Sequence, residues 1–76
     1  MTENEKIVYD AINSIVNERI EAKRFPYCAL WREVQNKLQG QFKHPSDLSD
    51  VIWSLSDSKL IKIRETYNEQ SYYINQ

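Results

Sequence analysis

The sequence predicts one α+β domain in which three amphipathic helices precede a β-hairpin. Three stretches of the 76 residues repeat their apolar side chains at helical spacing, and the pattern changes to alternation after Lys59. Breaks fall between these stretches, at Pro26 and at the only glycine, Gly40. A chain of this length buries only about 60% of the surface that its unfolded form exposes. We therefore treat residues 1–76 as a single compact domain.

Composition narrows the classes of protein to consider. Apolar residues make up 41% of the chain and charged residues 28%, which is typical of a folded globular protein. No apolar run reaches the ~18 residues of a membrane span, and the acidic first residues lack the features of a signal peptide. A lone cysteine, Cys28, agrees with a reducing compartment. We expect a cytoplasmic protein that needs no membrane.

The first predicted helix begins at Thr2, which can form a capping box with Glu5. Its apolar side chains spread over about 220° of the circumference, more than the roughly 100° stripe of an ordinary surface helix. Two explanations remain open. Either the rest of the chain wraps this helix, or the edge formed by Tyr9, Val16 and Ile20 meets a second copy in a homodimer.

The second helix follows a break at Pro26. Proline lacks a backbone N–H and directs the preceding Phe25 toward an extended conformation, so residues 24–28 have room for a short strand. From Ala29 onward the pattern is helical again, and Gly40 is well placed to end this helix. The apolar positions of this helix recur every four residues: Leu30, Val34 and Leu38.

The third helix is predicted to begin at Ser46 or Asp47, because either side chain can cap it. Phe42, in the turn before this helix, is expected to close the core. One face turns inward with apolar positions within about 100° of one another. These are Leu48, Val51, Ile52 and Leu55. The opposite face is polar apart from one indole, and it contains Ser46, Ser49, Asp50, Trp53, Ser56 and Asp57.

The alternating pattern after Lys59 is typical of strands. Residues 60–67 and 71–75 are predicted to form an antiparallel hairpin with its turn at residues 68–70. Lys62 and Arg64 fall on one face of the first strand. The tyrosines of the hairpin are expected to pack against the first and third helices, and they are Tyr67, Tyr72 and Tyr73.

The stretch LSDVIWSLSDSKLIKI, followed by SYYI, resembles the third helix and wing of the winged-helix family. The order of elements fits that family over roughly residues 5 to 75. One departure is Lys59, which stands where the family often has glycine. The resemblance implies that the third helix enters the major groove of DNA while the wing touches the backbone or minor groove, often in a dimer. Winged helices also serve as protein-docking modules, so the fold leaves both functions open.

The resemblance implies a small DNA-binding regulator, and it assigns the contacts to the third helix, the turn before it and the wing. The cations on this surface are Lys43, His44, Lys59, Lys62 and Arg64. Ser46, Ser49 and Trp53 would face the groove. A monomer would meet about three or four phosphates, and the aspartates would oppose some of them. With a net charge of −1, we expect weak, salt-sensitive binding to double-stranded DNA, by a dimer or beside a partner.

The alternative is a protein-interaction module that uses Asp50, Trp53 and Asp57 and does not bind DNA. The helix dipole favours Asp47 and Asp50 in the first turn, but it does not explain Asp57 near the other end unless Lys59 or a wing residue pairs with it. An exposed tryptophan among small polar residues is typical of a binding hot spot. If the hairpin or the Phe42 turn covers the indole, Trp53 belongs to the core instead.

Catalytic and metal sites find little support in the sequence. Cys28 and His44 would need a third, orienting group to act as a nucleophile and base, and no spacing supplies one. One cysteine and one histidine do not make a four-ligand zinc site. We therefore expect no enzyme activity, no metal and no cofactor.

Overall fold

A computed structural model of the chain describes residues 1–75. The elements are α1 (Glu3–Glu21), β1 (Ala29–Leu30), α2 (Trp31–Lys37), α3 (Pro45–Asp57), β2 (Ile61–Glu65) and β3 (Gln70–Ile74). The strands form one antiparallel sheet in the order β1-β3-β2. This arrangement of helices and sheet is the α+β fold that the sequence predicts. Within residues 1–75, no helix combines the length and the apolar character needed to cross a bilayer.

Helix α1 begins at the predicted capping box. The Thr2 hydroxyl accepts the Glu5 N–H at 3.1 Å, and the Glu5 carboxylate accepts the Thr2 N–H at 2.9 Å. The rest of the chain wraps this helix, as the first explanation of its wide apolar arc requires. Val16 is only 6% exposed and belongs to the core, so it cannot form part of a contact edge with a second copy. Of the other residues of that edge, Tyr9 is half-buried against the core and Ile20 is exposed.

The short strand lies further along the chain than predicted. β1 consists of Ala29 and Leu30 rather than part of residues 24–28, and α2 starts at Trp31 rather than at Ala29. Pairing with β3 holds these two residues in an extended conformation. The Glu33 carboxylate accepts the Leu30 N–H at 3.0 Å, which satisfies a backbone donor just before the helix. Tertiary pairing therefore overrides the helical spacing at this boundary.

Helix α3 begins earlier than predicted. Its N-cap is His44 and its first residue is Pro45, so neither Ser46 nor Asp47 caps it. Proline is favoured at the first helical position because its fixed φ suits the helix and its missing N–H is not needed there. The predicted inward face is confirmed, with Leu48, Ile52 and Leu55 buried and Val51 packed against them. Phe42 also packs against the core, as expected.

Helices α1 and α3 end in the same way, and a lysine occupies the left-handed position after each. At the end of α3, the Lys59 N–H donates to the Ser56 carbonyl oxygen at 2.9 Å. The Leu60 N–H donates to the Leu55 carbonyl oxygen at 3.0 Å. These two bonds define a Schellman motif, in which glycine is the usual left-handed residue. Lys59 has a φ of 63° and Lys23, after α1, a φ of 57°.

The hairpin places apolar and charged side chains on opposite faces of the sheet. Ile61 and Tyr72 are buried on the face that meets the helices. Lys62 and Arg64 are exposed on the other face. Tyr73 pairs with Lys62 and so lies on that outer face, not against α1 and α3 as predicted. The burial of Tyr72 agrees with the prediction.

The loop of the hairpin spans residues 66–69, whereas the sequence predicted a turn at residues 68–70. It closes with a hydrogen bond from the Thr66 N–H to the Glu69 carbonyl oxygen at 2.9 Å. Tyr67 lies within the loop and is fully exposed. Its predicted packing against the helices is therefore wrong, because it falls in the loop beyond the end of strand β2.

Candidate nucleic-acid and protein interface

A groove of about 460 Å³ lies between the first turns of α2 and α3 and the loop of the hairpin. Helix α2 contributes Trp31, Arg32 and Gln35, α3 contributes Pro45, Ser46 and Ser49, and the hairpin contributes Asn68, Glu69 and Gln70. Six of these nine side chains carry a guanidinium, amide or hydroxyl donor. Three elements thus present hydrogen-bond donors to one concave surface.

Glu69 and Gln70 fix the hairpin side of this groove. The backbone N–H of Arg32 donates to the Glu69 carboxylate at 3.3 Å, which ties the hairpin to the first turn of α2. The Gln70 amide donates to Glu65 at 3.3 Å and accepts the Tyr72 hydroxyl at 2.9 Å. Burial raises the pKa of the Tyr72 hydroxyl well above its usual range, and the charge of Glu69 adds to this effect. The Tyr72 hydroxyl is thus a buried donor that orients Gln70.

The start of α3 carries half of the residues that the sequence assigns to DNA. Ser46 and Ser49 line the groove. Lys43 and His44 are exposed in the turn that leads into α3. His44 also borders a second concavity of about 290 Å³, between the end of α2 and the start of α3.

The other predicted cations lie elsewhere. Lys62 and Arg64 occupy the outer face of the sheet, and Lys59 is exposed beyond the far end of α3. The Lys59 carbonyl oxygen accepts the Asn75 side-chain amide at 2.8 Å, which fixes the backbone there. None of these three cations lines the groove. The structure therefore does not gather all the predicted phosphate contacts at one place.

Sequence reasoning missed Arg32, Gln35 and Asn68 as groove residues. Arg32 supplies the only cationic side chain of the groove lining within residues 1–75. It belongs to the site because the hairpin folds back against α2, and no spacing within α2 reveals that contact. The sequence gives no signal for this contact, because the predicted hairpin packs against the first and third helices.

The outer face of α3 carries an exposed indole between two aspartates. Trp53 is 44% exposed, so the rest of the chain covers its indole only in part. Asp50 and Asp57 are both exposed. Within residues 1–75, neither carboxylate has a cationic group closer than 4.0 Å, and the predicted pairing of Asp57 with Lys59 or a wing residue is not formed. This face is acidic, aromatic and free of cations.

Cys28 and His44 are placed differently in the fold. Cys28 is buried in the interior, and His44 is exposed at the start of α3. Among the described residues, no three His, Cys, Asp or Glu side chains are grouped so as to hold a metal ion.

Comparisons with known proteins add no relative from which a function can be transferred. The sequence matches no family model, and neither the curated proteins nor the solved structures compared with it give a significant match. The groove and the outer face of α3 are therefore the two surfaces that bear on function.

Proposed function

We propose that this chain is a winged-helix domain that binds duplex DNA, with α3 directed to the major groove and the β2–β3 hairpin as the wing. The element order and the β1-β3-β2 sheet are compatible with that fold. The observation that carries the proposal is the groove between α2, α3 and the hairpin, which is lined by six donor side chains and by one carboxylate, that of Glu69. Phosphate oxygens accept hydrogen bonds and donate none, so such a surface suits a nucleic-acid backbone.

The groove residues and the turn before α3 have distinct roles in this proposal. Arg32 in the groove and Lys43 in that turn contact phosphates, and the amides of Gln35 and Asn68 add neutral donors. Ser49, one turn into α3, is directed to a base edge, because serine hydroxyls can both donate and accept. The N-terminal end of a helix in the major groove reads bases in this way.

The small number of cations limits the affinity that we expect for duplex DNA. Arg32 and Lys43 provide about two charged phosphate contacts, and each contributes a slope of about 0.9 in log affinity against log salt. Asp50 and Asp57 oppose the same polyanion. Binding by one copy is therefore weak and steeply salt-dependent, which makes a dimer or a neighbouring protein part of the functional unit.

The test is a salt titration with fluorescently labelled duplex DNA. Arg32→Ala should weaken binding and reduce the salt slope by about one, because one phosphate contact is lost. Lys6→Ala is the control, since it removes an exposed cation from α1, outside the groove. If both variants lose equal affinity, or the unchanged chain binds no duplex at low salt, the groove is not a DNA site.

A second candidate function is protein docking through the outer face of α3. The exposed Trp53 between two unpaired aspartates favours it, because this chemistry matches a basic partner better than a phosphate backbone.

Trp31 and Trp53 are the two tryptophans of the chain, so a Trp31→Phe background isolates the emission of Trp53. A lysine-rich peptide that docks there should shift this emission to the blue. A shift with duplex DNA and none with the peptide assigns the face to DNA.

A further inference from the structure

We propose that copies of this chain associate head to tail, with the outer face of α3 in one copy docked on the loop after α1 in the next. The inference names a partner for the α3 face of the second candidate function and does not require DNA binding. Its two surfaces are the acidic face, defined by Asp50, Trp53 and Asp57, and the basic aromatic loop, residues 20–27.

The basic aromatic loop exposes three large apolar or aromatic side chains to solvent. Phe25 is 83% exposed, and its ring contacts that of Tyr27 edge to face, with centroids 5.8 Å apart and planes at 80°. Ile20, in the last turn of α1, is also exposed. Lys23 and Arg24 stand between them in the chain and are exposed as well.

Hydrogen bonds from Arg19 and Cys28 fix the backbone of this loop at Pro26. The Arg19 guanidinium donates to the Pro26 carbonyl oxygen at 3.3 Å and to the Glu33 carboxylate at 2.8 Å. The Cys28 N–H donates to the same Pro26 oxygen at 3.0 Å, and Cys28 itself is buried. The exposed rings are therefore presented on an ordered backbone. A partner that docks there loses little affinity to the ordering of the loop.

The charges of the two surfaces are complementary. Residues 20–27 contain two cations and one acid, whereas residues 46–57 contain three acids and no cation. Each surface has aromatic side chains at its centre, Trp53 on one and the Phe25–Tyr27 pair on the other. A guanidinium such as that of Arg24 can lie over an indole face while its charge meets a carboxylate. Each copy therefore carries both halves of the contact.

The two surfaces lie toward opposite ends of α1. The Ser54 hydroxyl donates to the Glu5 carboxylate at 3.0 Å, which fixes α3 beside the start of α1. The basic aromatic loop follows the other end, and a helix of 19 residues is about 28 Å long. A contact between unlike surfaces leaves one of each free, so association continues with concentration unless the geometry closes a ring.

The experiment measures mass by light scattering, without DNA, over a range of protein concentrations. The mass should rise with concentration and fall toward one chain at high salt, because the charges are screened. Trp53→Ala and Phe25→Ala should each weaken association at least tenfold. Mixing these two variants should give a complex of two chains that grows no further, because each variant keeps only one working surface. Tyr67→Ala removes a fully exposed aromatic side chain from the hairpin loop and should change nothing.

Several results would overturn the proposal. A mass of one chain at every concentration excludes self-association, as does a mixture of the two variants that stays monomeric. If Trp53→Ala fails to fold, the pair Asp50→Lys and Asp57→Lys replaces it, and adding Lys23→Glu and Arg24→Glu to that chain should restore association. Failure of that rescue contradicts the charge matching. Binding of the loop to anionic vesicles by a monomeric chain would assign it another occupant.

Phe25→Ala separates this proposal from DNA binding, because Phe25 does not line the groove. The variant should bind duplex with the affinity and the salt slope of an unassociated chain. Loss of DNA binding in Arg32→Ala together with intact self-association would leave the head-to-tail contact standing.

Discussion

Lys59 has a left-handed backbone conformation that residues with a Cβ atom disfavour. It adopts the left-handed conformation that closes α3, where the absence of a Cβ atom makes glycine the favoured residue. The family that the sequence resembles often has glycine there, so the departure changes the residue and keeps the conformation. Its side chain is exposed, and its carbonyl oxygen is bound by Asn75.

Lys59→Gly should therefore stabilise the protein. A left-handed non-glycine residue costs about 1 to 2 kcal/mol, and part of this gain is lost to the greater freedom of glycine in the unfolded chain. We expect a net gain of about 0.5 to 1 kcal/mol in the free energy of unfolding, measured by urea denaturation. Lys62→Gly, within strand β2, is the control and should destabilise. A loss of stability in Lys59→Gly would show that the lysine side chain makes contacts that offset the strain.

Glu5 gives a pH dependence whose sign can be stated. A hydrogen bond from the Thr2 backbone is the main cause that lowers the pKa of Glu5 below its ordinary value of 4.5, and the Thr2 and Ser54 hydroxyls add to it. Because the folded pKa is depressed, the ionised carboxylate stabilises the fold above the unfolded pKa. This contribution is lost as pH falls through the folded pKa.

Glu5→Gln tests this dependence. The difference in unfolding free energy between the unchanged chain and the variant should be constant near neutral pH and should shrink as the pH falls below 4.5. Urea denaturation at a series of pH values measures it. Glu3→Gln is the control, since Glu3 lies in the same turn without a resolved partner for its side chain. A difference that grows on acidification would contradict the assigned direction.

At the scale of elements, patterns within one element were predictable and boundaries set by distant partners were not. The inward face of α3 follows from the spacing of Leu48, Val51, Ile52 and Leu55, because burial of one helix stripe is a local property. The start of α2 was misplaced because Ala29 and Leu30 pair with β3, far along the chain. Tyr67 was misplaced because strand β2 ends at Glu65, before the alternating pattern does.

The orientation of α3 can be tested at two adjacent residues. Ile52 is 1% exposed, so Ile52→Ala leaves a cavity and should cost about 3 kcal/mol in unfolding free energy. Trp53→Ala should cost clearly less, although it removes a larger side chain, because much of the indole is in solvent. Both variants are compared by urea denaturation. Equal losses would mean that Trp53 is part of the core and that the acidic face is not available to a partner.

At the scale of the whole molecule, the groove was the part of the site that the sequence did not predict. Ser46 and Ser49 were recognised from the polar face of α3. Arg32 lies beside the hairpin loop because its backbone N–H binds the carboxylate of Glu69, which is 37 residues away in the chain. A single sequence carries no local pattern for such a contact, so predicted site residues on separate elements could not be assembled into one surface.

Arg19 links several parts of the fold, and its loss should be felt by the whole molecule. Its guanidinium joins α1 to the loop at Pro26 and to Glu33 at the start of α2, and its side chain is 12% exposed. Arg19→Ala should cost about 2 kcal/mol, because hydrogen bonds to a charged group are lost and the Glu33 carboxylate keeps only its hydrogen bond from the Leu30 N–H. The exposed pair of Lys37 and Glu18, at 3.9 Å, is the comparison, and Lys37→Ala should cost less than about 0.5 kcal/mol. If the two variants lose similar stability in thermal unfolding, Arg19 contributes no more than an exposed ion pair does.

The position of β2 at the border of the sheet has a consequence for solubility. Within residues 1–75, this strand pairs with β3 on one side only, so its other side offers backbone groups that an identical strand could extend into a fibril. Lys62 and Arg64 oppose such stacking, because like charges from successive strands would meet. We therefore expect the two cations predicted to contact phosphate to disfavour edge-to-edge pairing of this strand as well.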